Sequence, residues 1–454
     1  MADCPAQVAN STNDQPIIHR WISAHRDVLV LTGIFLIAAA VLFKPWVHGA
    51  DGMAYYSWLR SAVIDGDLNT ANEYEHFGYG WIASTTATGY KDNPWAIGSA
   101  VLWAPFFLIA HLIARGDGYG PAYFTATSLA STIYAFIGLL LLYRLARELF
   151  GSGAALLATF VIWFASPLVF YMYLHPSMAH ANDAFVNALF VYTWYRTRPN
   201  RKAWGWLLLG ATIGLAALVR TQNGLLVLIP AMELLLTLRG DLRSRFAPTA
   251  LNGVAFGIGL LAAFFPQMYV WHKVYDCWLV FNPYHSSTGN TFNPTSPNFI
   301  NVLFSPHHGL FTWTPALLLA VIGLIPLARR DSRLAMLLAV GFIAQVYIVG
   351  GWSAWAGGAA FGQRFLVNNT PAYLLGMAAL VESLCRHVGL RALYPAGVAL
   401  ILWNLGLVAQ YVTGMIPREA PVSLATIAVN QLHLPPVIVS RLGDLLAKRF
   451  GVWR

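Results

Sequence analysis

Residues 27–76 read DVLVLTGIFLIAAAVLFKPWVHGADGMAYYSWLRSAVIDGDLNTANEYEH. An apolar run occupies positions 27–45, close to the roughly 20 residues that cross a bilayer as a helix. His19, Arg20, His25 and Arg26 precede it, and no small-residue cleavage site follows it. It reads as a signal anchor with its N-terminus inside. Beyond the run the chemistry changes abruptly. Asp51, Asp65, Asp67, Glu73, Glu75 and His76 follow within a few turns, a large share of the 19 acidic residues in the chain.

The same contrast runs through all 454 residues: 57% are hydrophobic and only 10% charged. An ordinary soluble domain carries roughly 25% charged residues. Too few charges remain to cover a water-facing surface, so the bilayer must be the solvent. The 28 Lys+Arg exceed the 19 Asp+Glu, but the basic residues sit in short clusters between apolar runs. That is the positive-inside pattern and not a nucleic-acid footprint. Cys4, Cys277 and Cys385 are scattered, which fits neither a disulfide framework nor a zinc site.

Apolar length places spans near 27–45, 120–143, 154–174, 184–197, 204–219, 224–238, 250–271, 311–328, 333–351, 366–384 and 392–414. The expectation is an all-α polytopic membrane protein, a single transmembrane domain over 1–454 with about eleven transmembrane helices. The clusters Arg144/Arg147, Arg196/Arg198/Arg201/Lys202, Arg239/Arg243/Arg245, Arg329/Arg330/Arg333 and Arg386/Arg391 then fall at every second loop. Residues 96–114 are apolar enough to span, but a crossing there would put every later cluster outside. They are expected to run in-plane or to re-enter, interrupted at Pro105; a twelfth span is the alternative. Outer loops follow at 46–95, 272–310 and 350–365, and residues 415–454 form an amphipathic tail. In the first loop the spacing over 53–64 fits an amphipathic interfacial helix.

Candidate chemistry gathers on the outer side. Asp51 stands just beyond the first span, where a partly desolvated carboxylate could serve as general base on an acceptor hydroxyl, or could cap the next helix. Arg220 lies between two apolar runs, suited to phosphate oxygens or to snorkelling at the outer boundary. Arg364 follows the glycine-rich GGAAFGQ stretch, as a second phosphate cation or an ordinary loop arginine. Lys91 could hold a phosphate. His180 and Asp183 share a helix face, and with His175 they could bind a metal, orient substrate or pair with each other. With no cysteine nearby and no zinc-type spacing, a divalent metal is only weakly supported. His76 and Trp355 are further substrate-contact candidates. The adjacent His307 and His308 cannot face one target together and are expected to pack the loop.

This order of features resembles the GT-C superfamily of membrane glycosyltransferases, chiefly over the first 240 residues. It is similar to the lipid A aminoarabinose transferase, protein O-mannosyltransferase and rhizobial galacturonosyltransferase-like groups. Asp51 stands where that superfamily has its catalytic aspartate. Lys91-Asp92-Asn93-Pro94 stands where several members have Lys-Pro-Pro, and only the Lys and one Pro match. A second acidic partner is implied in the same loop, with Glu73 and Glu75 both eligible. The resemblance implies an inverting sugar transfer from a polyprenyl-phosphate donor to an acceptor lipid, glycan or protein. The setting it implies is a bacterial inner membrane with the site on the periplasmic face, and it involves no nucleic acid. A lipid or sugar transporter is the rival class; the absence of inverted repeats weighs against it.

Overall fold

The computed structural model describes residues 17–82, 84–237, 242–281 and 289–440. Among these residues the regular structure is helical, and the only β pairing is two isolated bridges. Five helices are long and apolar enough to cross a membrane, and five more stretches of 10–17 residues are apolar.

The chain enters on α1 (Ile17–Leu42). Short helices α2 (Gly49–Arg60) and α3 (Ala71–His76) and the apolar α4 (Gly98–Ala114) follow. Helix α5 (Pro121–Phe150) then runs antiparallel to α1, with Phe35 stacked on Phe136 at 4.2 Å. Near its C-terminal end, Tyr143 donates a hydrogen bond to Asp27 in the N-terminal half of α1, 2.5 Å away. Its other end follows residues 115–120, whose backbone carbonyls accept from α2: Arg60 Nε reaches Asp117 at 2.8 Å, and Tyr56 donates to Gly118. Segment 96–114 therefore leaves and returns at one end of the bundle, and α4 exposes Ile109, Leu112 and Ile113 along its side. The expected break at Pro105 is absent. Helix α4 continues through it, because a proline costs only its own N–H bond and its neighbours can absorb the displaced carbonyl.

Helices α6 (Ser152–Phe164), α7 (His180–Thr197), α8 (Ala203–Val219), α9 (Leu228–Thr237) and α10 (Leu242–Tyr275) carry the chain back and forth. The expected span 311–328 is broken: a single helical turn, Leu310–Trp313, precedes α11 (Pro315–Ile322) and α12 (Leu324–Arg330), which are divided at Gly323. There the backbone meets the helix Thr370–Val388 so closely that a Cβ on Gly323 would lie 1.9 Å from the Gly376 carbonyl. Helices α13 (Ser332–Gly351), α14 (Thr370–Val388) and α15 (Leu390–Thr413) follow. Residues Leu424–Ser440 form α16, a helix with no charged residue that packs back on α15. The expected tail runs on through residues 441–454, which lie outside those described.

The basic clusters meet at one end of the bundle. Arg196 pairs with Glu148, Arg198 with Asp331, and Arg201 with Glu233 at 2.5 Å. These pairs tie α5, α7, α9 and the start of α13 together. Arg239 lies outside the described residues.

In lipid, helices associate by close packing of small residues and not by hydrophobic exclusion. The parallel pair α8–α10 shows this. A Cβ on Gly210 would lie 2.0 Å from the Phe256 carbonyl, and one on Gly259 would lie 2.0 Å from that of Leu207. Gly210→Ala should lower the thermal unfolding midpoint in detergent, at a cost of about 1–3 kcal/mol. Gly257→Ala, where a Cβ meets nothing within 4 Å, should leave the midpoint unmoved. Equal midpoints for the two variants would contradict the helix contact.

Candidate active site

At the end of the bundle opposite the basic clusters lies a cavity of about 260 Å³. Its wall includes Asp51, Tyr55, Trp95, His180, Arg220, Gln222, Asn290, Trp352, Arg364 and Phe365. Each charged member is placed by a break in regular structure.

Asp51 sits in the first turn of α2, where the helix dipole favours a carboxylate. Gly49 turns the chain from α1 into that helix at φ +72°, a left-handed conformation that glycine takes without strain. Arg220 ends α8 in an extended conformation. Asn223 closes the helix end by donating to the Ala216 carbonyl at 2.9 Å and to Asp183 at 2.6 Å. Arg364 follows a loop with left-handed glycines at 357, 358 and 362. Gly357, at φ +82°, suits this left-handed turn without strain, and a Cβ there would lie 3.1 Å from Arg364 Nε.

The three charges form one unit. Arg364 Nη1 donates to Asp51, while Arg364 Nε is buried with no hydrogen-bond partner. Arg220 Nη1 donates to His180 Nδ1 at 2.9 Å, and Nη2 donates to Gln222 at 3.0 Å. The Phe365 ring serves both arginines, with guanidinium carbons 5.1 Å (Arg220) and 4.9 Å (Arg364) from its centroid. Two cations that would repel each other are thus held against one aromatic ring, and the acid is held by one of them.

Asp183 does not reach the cavity, contrary to its expected substrate contact. It is fully buried behind the wall, 3.7 Å from Arg220 Nε, and accepts from Asn223 and from Asn187 at 2.9 Å. His180 does line the wall, and its ring packs on Tyr171 at 4.5 Å.

The other candidates from the first loop are spent elsewhere. Glu73 is fully buried and accepts from Arg60 at 2.6 Å, which also holds Asp65 at 2.6 Å. Burial, only partly offset by Arg60, pushes the Glu73 carboxyl up to about 7. Glu75 is exposed, and His76 stacks on Tyr119 at 3.6 Å. Lys91 Nζ donates to the Gly80 carbonyl at 2.6 Å and lies 5.8 Å from the Tyr74 ring centroid. None of these four lines the cavity. Their expected roles at Asp51 are corrected accordingly: the first loop folds on its own Arg60 and Gly80 and keeps them there. Trp355 also stands off the wall, packed towards His307, and Trp352 takes its place. His308 is buried as expected of a packing residue, with Nδ1 against the Ala356 carbonyl. Among the described residues no group of three or more His, Cys, Asp and Glu could hold a metal ion.

The residues not foreseen are Tyr55, Trp95, Gln222, Asn290, Trp352 and Phe365. Asn290 and Trp352 arrive together because two outer loops pair. Asn293 N donates to Gly351 O at 2.7 Å, and Ser353 N donates to Thr291 O at 3.0 Å. Only Gln222 and Phe365 carried a sequence signal, each lying within two residues of a flagged arginine.

The fold agrees with what is found among known proteins. ArnT from Cupriavidus metallidurans in the apo state superposes with a TM-score of 0.52 at 15% identity, over 92% of this chain and 77% of that one. The chain has the GT-C fold. ArnT bound to undecaprenyl phosphate gives a TM-score of 0.53 at 15% identity, over 93% and 76% of the two chains. An Archaeoglobus fulgidus oligosaccharyltransferase in complex with Zn and sulfate gives 0.51 at 14% identity, over 87% of this chain and 54% of that one. The family described as dolichyl-phosphate-mannose-protein mannosyltransferase matches residues 122–269, from the start of α5 to near the end of α10. No curated protein matches. The cavity thus sits partly inside the family match, at Arg220, and partly outside it, at Asp51 and Arg364.

Proposed function

We propose that this chain is a glycosyltransferase that moves a sugar from a polyprenyl-phosphate donor to an acceptor hydroxyl, with inversion, on the outer face of a bacterial inner membrane. The observation that carries the reading is the trio on the cavity wall: two arginines over one phenylalanine, with a carboxylate on one of them. The ArnT structure holding undecaprenyl phosphate supports a lipid phosphate as the ligand.

In this reading Arg220 and Arg364 hold the donor phosphate and neutralise it as it leaves. Asp51 receives the acceptor proton. The acceptor oxygen bonds to the anomeric carbon from the face opposite the phosphate, the carbon–phosphate oxygen bond breaks, and polyprenyl phosphate leaves. Lipid, glycan and protein acceptors all satisfy this chemistry. In proteoliposomes, a polyprenyl-phosphate sugar mixed with membrane extract should yield free polyprenyl phosphate and a glycosylated product. Passage of the intact lipid-linked sugar across the bilayer with no product would point instead to the transporter reading.

The sidedness has its own test. Cys277 is exposed in the loop after α10, at the cavity end of the bundle, and Cys385 is buried. A membrane-impermeant maleimide should label intact cells, and Cys277→Ser should abolish that labelling. Labelling that appears only after lysis would reverse the orientation.

A further inference from the structure

Charge is scarce around this cavity. Among the described wall residues only Asp51, Arg220 and Arg364 carry one. Two outer loops at this end of the bundle add none: residues 289–310 and 350–363 contain no Asp, Glu, Lys or Arg. Charged side chains of the first loop close to the wall are already engaged. Asp92 accepts from Tyr275 at 2.7 Å, and Lys91 donates to the Gly80 carbonyl.

Resting on the donor reading above, we infer that the sugar transferred is uncharged. Two arginines against one aspartate leave the wall with a single net positive charge, which one phosphodiester anion matches. A uronic acid would add a carboxylate with no third cation on the wall to meet it. An amino sugar would add an ammonium, and the one carboxylate on the wall already holds Arg364 and is required by the acceptor. An unpaired charge brought into a half-enclosed site loses hydration without recompense. What the wall does offer suits hydroxyls and C–H faces: the rings of Tyr55, Trp95 and Trp352 and the amide of Asn290.

The test uses protein in nanodiscs and four synthetic lipids built on one polyprenyl phosphate: bare, hexosyl, hexuronosyl and aminohexosyl. Each competes with a fluorescent polyprenyl phosphate. The hexosyl lipid should bind about 10-fold or more tightly than either charged lipid, a difference of about 1.4 kcal/mol. Binding of the bare lipid together with equal or tighter binding of a charged one would overturn the inference and leave the phosphate reading standing. Failure of even the bare lipid to bind would overturn the donor reading, and this inference with it. Asn290→Asp places a free carboxylate on the partly exposed wall. It should raise the aminohexosyl lipid relative to the hexosyl lipid by about 10-fold. An unchanged ranking would overturn the placement of the sugar against that wall.

Discussion

Arg220→Ala should weaken the binding of undecaprenyl phosphate by about 100-fold, the scale of two charge-assisted hydrogen bonds at roughly 1.5–3 kcal/mol each with partial replacement by water. The guanidinium is fixed on three sides: His180 on Nη1, Gln222 on Nη2 and the Asp183 carboxylate 3.7 Å from Nε. Arg220→Lys should recover only part of the loss, because an ammonium cannot hold His180, Gln222 and phosphate in one plane. The alanine variant also strips the cation from beside a fully buried carboxylate, so a folding defect must be separated from a binding defect. The double variant Arg220→Ala/Asp183→Asn does this. It removes the stranded charge while keeping side-chain polarity towards Asn223 and Asn187, so its unfolding midpoint should return towards that of the parent while lipid affinity stays low. Parent-like affinity in a folded Arg220→Ala protein would sink the phosphate role.

Much of this architecture could be read from the chain because lipid imposes a strict rule. Charges must leave the hydrocarbon, so Arg196, Arg198 and Arg201 had to gather at one end and Asp51, Arg220 and Arg364 at the other. The same rule disfavoured a crossing at 96–114, and the contacts of Arg60 and Tyr56 with residues 117 and 118 return that segment to its starting end. The rule says nothing about partners inside a loop. Glu73 and Asp51 look alike as loop carboxylates, and only folding shows that Arg60 takes one and Arg364 the other. Trp352 and Trp355 are three positions apart in a glycine-rich stretch, and the bridge from Trp352 to Phe292 decides which one reaches the wall. Asp183 was legible as a candidate on the outer side, sharing a helix face with His180, but its direction was not. The helical face that carries it points at Asn223 and the back of Arg220.

Asp51→Asn should leave the protein folded and able to bind the lipid donor, yet slow sugar transfer at least ~100-fold, since general-base help accounts for about 10²–10⁴-fold in rate. Asparagine keeps the size and one carbonyl oxygen, so it can still accept from Arg364 Nη1, and the loop bearing Gly357 and Gly358 has no reason to shift. It loses the second oxygen's negative charge and with it the capacity to take the acceptor proton. It also leaves Arg364 without its anion, and a freer guanidinium should hold the donor phosphate as well as before or better. The signature is therefore a split: donor affinity equal to or above that of the parent, with turnover far below it. A purely structural role for Asp51 would lower both together, because a displaced Arg364 would carry phosphate binding down with it. Asp51→Glu supplies the second control. It restores the charge but pushes the carboxylate about one methylene further along the wall, so transfer should recover only partly, while binding stays near the parent's. Near-normal turnover by correctly inserted Asp51→Asn protein would remove Asp51 as the base. No other carboxylate among the described residues lines that cavity, so the acceptor proton would then have to leave through water or through the donor phosphate itself.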